Sequence, residues 1–298
     1  MKPKHWLIFI LLGTIWSASF LWIKIAVQEV GPFTLVAFRV LFGALTGILL
    51  ALFTRAAWPR DRATWLVYLW LGLGSVVVPF VLISWGEKTI DSAIASILNA
   101  TTPLFTILIA HYALRDDRIT LPKVLGLVVG FTGVVILLSR DLSAGSHSSV
   151  LGQAAVLVAA FLYAVFSVYA RLKTAHVPGL VRGAAPLITA SLVMWVVTPL
   201  VESPFRLPSL PITWVALLWL GILGSGLALI MWYYLLHEIG PTRTTVVSYI
   251  FPLGGVILGV IFLHEPLTWQ LAAGALLIIL GSVVINWSPK AIKNVHAD

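Results

Sequence analysis

Residues 99–104 read Asn-Ala-Thr-Thr-Pro-Leu, and residues 248–253 read Ser-Tyr-Ile-Phe-Pro-Leu. Each run lies near the middle of an apolar stretch long enough to cross a bilayer. A proline there removes a backbone N–H and disturbs the carbonyl one turn earlier. The same landmarks surround both runs in the same order. Trp70-Leu71-Gly72 precedes the first and Trp219-Leu220-Gly221 the second. Leu114-Arg115-Asp116, then Ile119-Thr120, follows the first; Leu263-His264-Glu265, then Leu267-Thr268, follows the second. Gly126 and Gly133 then match Gly274 and Gly281. The chain reads as two copies of one unit.

Of the 298 residues, 60% are hydrophobic and only 10% charged, too little polar surface for a soluble domain of this size. Ten spans are predicted, at about 5–27, 32–54, 64–85, 91–113, 121–138, 150–171, 179–201, 213–235, 241–263 and 268–287. Gly31-Pro32, Trp58-Pro59, Leu121-Pro122, Pro178-Gly179, Gly240-Pro241 and Ser288-Pro289 fall between them. Five spans per copy is an odd number, so the second copy enters the membrane upside down. The expected fold is all-α integral membrane, ten transmembrane helices as two inverted five-helix repeats. Residues 1–138 form the first repeat, 139–149 a periplasmic linker, 150–287 the second repeat and 288–298 a cytoplasmic tail.

The net charge of +8 is explained by topology rather than by nucleic acid. Lys2, Lys4, Arg55, Arg60, Arg62, Arg115, Arg118, Lys123, Arg171, Lys173, Arg182, Arg243, Lys290 and Lys293 fall on one set of connections. Only Lys88, Arg140 and Arg206 fall on the other. The positive-inside rule then places both termini in the cytoplasm of a multi-pass inner (plasma) membrane protein. Ser17-Ala18-Ser19 has the form of a signal cleavage site. The apolar run continues to Val27, however, and cleavage would leave an odd number of spans. With no cysteine there is no disulfide and no thiolate metal site. No metal cluster or cofactor motif is expected.

Two five-helix halves, the matched prolines and the Leu-His-Glu-Pro-Leu-Thr run at 263–268 resemble the EamA family of the drug/metabolite transporter superfamily. The likeness covers nearly the whole chain, and among members it looks most like the YddG-type amino-acid exporters of bacterial inner membranes. It implies ten helices around a central cavity and alternating access.

The residues themselves mark a pathway. Pro103 and Pro252 free the Asn99 and Ser248 carbonyls toward a cavity; the alternative reading is two packing kinks. Asn99, Thr102, Ser248 and Tyr249 supply hydrogen bonds that lipid cannot satisfy. Trp16 and Tyr163 lie too deep for the interfacial belt, to which Trp6, Trp58, Trp65, Trp214, Trp269 and Trp287 are assigned. With Phe80 and Trp232 they form a candidate aromatic wall, or else ordinary helix packing. Lys24 is placed to snorkel. Arg39, two turns inside the second span, is a candidate for a substrate carboxylate or for an outer gate with Glu265; the alternative reading is a snorkelling, structural arginine. Gly43/Gly47, Gly126/Gly130 and Gly255/Gly259 suit close helix approach, within the bundle or in a homodimer.

All eleven carboxylates, Glu87 among them, are expected at span ends or in loops. A proton-coupled exporter of cationic drugs usually needs a buried acid. Its absence favours a zwitterionic or neutral metabolite, most simply an amino acid, exported down its own gradient. A multidrug exporter of lipophilic cations is the alternative. An enzyme acting on lipid finds no nucleophile or metal motif here.

Overall fold

The computed structural model describes residues 3–113, 119–143, 145–239, 247 and 250–287. Among them the chain is helical, with no strand. Eight helices are long and apolar enough to cross a membrane. They are α1 (Pro3–Ala26), α2 (Pro32–Phe53), α3 (Arg62–Gly86), α4 (Ser92–Ala113), α5 (Leu121–Ser143), α6 (His147–Thr174), α7 (Gly179–Val201) and α8 (residues 211–239). Two shorter apolar helices follow, α9 (Ile250–Leu263) and α10 (Trp269–Trp287). Ser248, Tyr249, Asp116 and the 288–298 tail lie outside the described residues.

Local chemistry sets the helix starts. Pro32 and Pro211 occupy first-turn positions, where a missing N–H costs nothing. Asp61 caps α3 by accepting from the Thr64 amide at 2.7 Å. Two tryptophans assigned to the interfacial belt have a further task. Trp65 Nε1 donates to the Pro59 carbonyl at 3.0 Å, and Trp214 Nε1 donates to the Pro208 carbonyl at 3.0 Å. Each staples the loop before its helix, across the same six-residue spacing.

The end of the bundle where α1 begins is called here the basic end, and the opposite end the far end. Helices α1, α3, α5 and α7 run toward the far end; α2, α4, α6, α8 and α10 run back. Helix α2 packs on α7 and α8, α1 on α8 and α9, α4 on α6 and α9, α3 on α6 and α7, and α5 on α10. At the α5–α10 contact the backbones touch: a Cβ on Gly281 would meet the Gly126 carbonyl oxygen at 2.5 Å. Gly43 and Gly47 likewise face α7 and α8, and Gly255 and Gly259 face α4 and the Glu265 turn. All three glycine pairs therefore pack inside the bundle. Large apolar side chains such as Phe53 (83% exposed), Leu192 and Ile261 point outward instead. Lipid suits that surface; water does not.

Candidate functional site

Helix α8 changes winding over Trp219–Leu227, which forms a π-helix; α3 does so over Leu73–Val77. Such stretches shift the hydrogen-bond register and turn backbone groups sideways. In α8 they meet two of the predicted residues. Trp16 Nε1 donates to the Gly224 carbonyl at 3.0 Å. Arg39 Nε donates to Ser225 Oγ at 3.1 Å, and that hydroxyl donates to the Leu220 carbonyl at 3.0 Å. Two side chains from α1 and α2 thus converge on adjacent residues of one irregular stretch.

Aromatic groups surround both. The Trp16 ring lies 5.5 Å from Trp232 and meets Phe251 edge-on at 5.4 Å. The Arg39 guanidinium sits 3.7 Å from the centre of the Phe80 ring, a contact of about 2 kcal/mol when desolvated. Tyr163 is half-buried on α6. Arg39 is itself buried, yet its two Nη groups find no partner among the described residues. A buried guanidinium with idle donors is poised for an anion.

A second group lies on α4, whose helix breaks at Ala100 and Thr101. The break precedes Pro103 as expected, but the expected free carbonyl is absent. Thr102 Oγ1 donates to the Asn99 carbonyl at 2.8 Å, and Thr101 Oγ1 to that of Leu98 at 2.6 Å. Hydroxyls within the break replace the lost amide. What remains open is the Asn99 side chain, whose Oδ1 is buried without a partner among the described residues. Pro252, on α9, is buried as the third residue of that helix.

The far end carries Glu29, Glu87, Glu202 and Glu265. Helix α9 closes with His264 in the left-handed region (φ 55°), and the Glu265 amide turns back to the Gly259 carbonyl at 3.1 Å. This turn lays the Glu265 carboxylate on the start of α4, where it accepts from Ser92 N at 2.6 Å and Ala93 N at 2.9 Å. The expected Arg39–Glu265 pair does not form, because those two amides already occupy the carboxylate. Glu202 does the same for α2, accepting from Phe33 N, Thr34 N and Thr34 Oγ1 at 2.9, 2.9 and 2.6 Å. Glu29 accepts from Ser209 N, Ser209 Oγ and Leu210 N ahead of α8. The Ser209 hydroxyl, above all, holds the Glu29 carboxyl down to about 2.

Glu87 differs. It follows the last turn of α3, is wholly buried, and neither carboxylate oxygen has a hydrogen-bond partner among the described residues. The sequence reading put it at a span end or in a loop, which fits its place after α3, but did not show that it is buried. The reason it is buried is the glycine before it: a Cβ on Gly86 would meet the Gly152 carbonyl oxygen at 2.7 Å, so α6 closes over the turn. Lys24, expected to snorkel, instead donates Nζ to the Glu87 and Ile90 carbonyls, both at 2.7 Å, and caps α3.

The model of the EamA-like transporter family matches residues 4–139 and again 150–287. The chain belongs to the EamA-like transporter family. Its relatives include an uncharacterized transporter of Archaeoglobus fulgidus, 29% identical over 94% of this chain and 96% of that protein. Another is the uncharacterized transporter YoaV of Bacillus subtilis, 25% identical over 90% of this chain and 91% of that one. The uncharacterized inner membrane transporter YedA of Escherichia coli is 26% identical over 83% and 79%. A solved crystal structure at 23% identity superposes with a TM-score of 0.67, covering 96% of this chain and 98% of the other. The EamA-like chain is thus a multi-pass membrane transporter.

Proposed function

We propose that this EamA-like protein exports amino acids, or metabolites of like size and charge, across a bacterial inner membrane by alternating access. The observation that carries the solute class is Arg39: a buried cation whose Nη groups have no partner among the described residues, stacked on the Phe80 ring. A carboxylate on those donors and a side chain against the rings describes an amino acid. Asn99 Oδ1, an acceptor without a donor among the described residues, suits its ammonium group. Trp16 and Trp232 close the other side of the π-helical stretch; Thr102, Ser248 and Tyr249 complete the proposed lining.

The proposed frame is a pair of inverted repeats, residues 1–138 and 150–287 with 139–149 as a periplasmic linker. Three observations support it. The family model matches twice. The Pro59–Trp65 and Pro208–Trp214 staples open α3 at the basic end and α8 at the far end. The α1–α9 contact has its counterpart in α6–α4, and both α3 and α8 hold a π-helical stretch. Charge bias orients the basic end to the cytoplasm, with both termini and the 288–298 tail. Glu202, Glu265 and Glu29 then latch the periplasmic side, since each crosses from one half to the other. The proposed working form is a monomer or homodimer in lipid.

Uptake into proteoliposomes with a panel of labelled amino acids and organic cations tests the reading. Amino-acid flux is expected, and Arg39→Met lowers it about tenfold or more while leaving expression intact. Asn99→Ala and Tyr249→Ala also reduce it. Cation flux without amino-acid flux favours the other reading, a multidrug exporter. One observation speaks for that second reading: Glu87 supplies the buried acid that such exporters use.

A further inference from the structure

Glu87 is the one carboxylate among the described residues that is wholly buried with both oxygens unpartnered. Taking an ionised carboxylate out of water without a donor is so costly that such groups neutralise instead. Burial accordingly pushes the Glu87 carboxyl well up, against the opposing pull of Lys24. The charged groups that act on it come from three directions: Lys24 on α1, Arg39 on α2 and Glu265 at the α9–α10 turn. Helix α6, packed against it, carries His147 at its start, beside the Thr89 turn, and Tyr163 farther along. Neither cation forms an ion pair with it. Lys24 spends two donors on the Glu87 and Ile90 carbonyls, and Arg39 lies on Phe80 and Ser225. The carboxyl thus feels two cations and one carboxylate and has no donor on either oxygen among the described residues, so its charge depends on whether water or a solute enters.

We propose that Glu87 is a proton-carrying site that couples export to proton entry, one proton inward for each solute outward. In the closed bundle the group is the neutral acid. When the far end opens, exchange with water sets its occupancy at periplasmic pH. When the basic end opens, solute entry between Arg39 and the aromatic wall brings a positive ammonium group and water. The O–H bond of Glu87 then breaks, the proton leaves to the cytoplasm, and the carboxylate stays as the solute's counter-charge. Re-protonation from the periplasm releases the solute and restores the starting state. No other co-reactant is needed. This removes the ground on which downhill export was expected from the sequence, namely that no acid is buried.

The proposal rests on the transport reading, and its test separates the two. In proteoliposomes with the membrane potential clamped at zero, amino-acid counterflow without a pH gradient reports transport alone. A lumen one pH unit more acidic is then expected to drive accumulation toward about tenfold for one proton per solute. In Glu87→Gln the gradient response and the pH dependence both vanish, whatever counterflow remains. Counterflow in the unmodified protein with no response to the gradient overturns the proposal, as does Glu87→Gln accumulating like the parent. A substrate-free arm uses infrared difference spectra of the intact purified protein. A protonated carboxyl stretch at neutral pH, missing in Glu87→Gln, is expected. Its absence from the unmodified protein overturns the proposal even if every solute in the panel fails to move.

Discussion

Glu265 and Glu87 are both carboxylates buried at the far end of the bundle, one with two backbone amides on its oxygens and the other with no donor among the described residues. Burial alone therefore does not separate structural from working groups; hydrogen bonding does. Glu265, with Glu202, compensates the positive end of a helix and in return is held by its free amides. Such a contact is made once and kept. Glu87 feels two cations and one carboxylate and has no fixed bond among the described residues, so its charge is left to depend on what enters.

Breaking the satisfied side gives the largest effect. Glu202→Ala removes three acceptor contacts at the start of α2, each of them charge-assisted. Loss of about 3 kcal/mol is expected, read as a lower thermal midpoint in detergent. A midpoint unchanged from the parent would mean that the latch contributes nothing. Glu265→Gln is milder, because one amide oxygen can still accept from Ser92 or Ala93 while the other position becomes a donor facing a donor. About 2 kcal/mol is expected by the same measurement.

Much of this contrast was hidden in the sequence, though the frame was plain. Apolar length and the Gly and Pro punctuation locate α1 to α8 to within a few residues, since desolvation of backbone leaves a lipid-bound chain few choices. The prolines correctly marked the break in α4. They did not say that Thr101 and Thr102 would satisfy the carbonyls exposed there, because serine and threonine bond their own helix or a neighbour with equal ease. Trp65 and Trp214 were read as belt residues from position alone. The equal spacing from Pro59 and Pro208 was the available signal for a staple. Glu87, followed by Lys88 and Thr89, looks like any polar turn. Only the Gly86–Gly152 contact between α3 and α6 buries it, and that pairing is tertiary.

The unsatisfied side predicts the smallest effect at acidic pH, and the sign of its pH dependence sharpens the comparison. Glutamine has the shape of protonated glutamate, so Glu87→Gln leaves stability nearly unchanged below the ordinary carboxylate range, where Glu87 is neutral in the folded and the unfolded chain alike. Glu87's folded pKa lies well above its unfolded value because burial disfavours the charge. The folded protein therefore holds the proton over a pH range in which the unfolded chain has released it. Stability in the parent is full below the ordinary carboxylate range and falls as pH rises toward the folded pKa. The Gln variant has no proton to lose, so the two proteins melt together near about pH 5 and separate by about pH 8, with the variant higher. Thermal melts of both at the two pH values measure the gap. Should the parent instead gain on the variant as pH rises, the Glu87 carboxylate has found donors in solution, and it belongs with Glu265 among the structural caps.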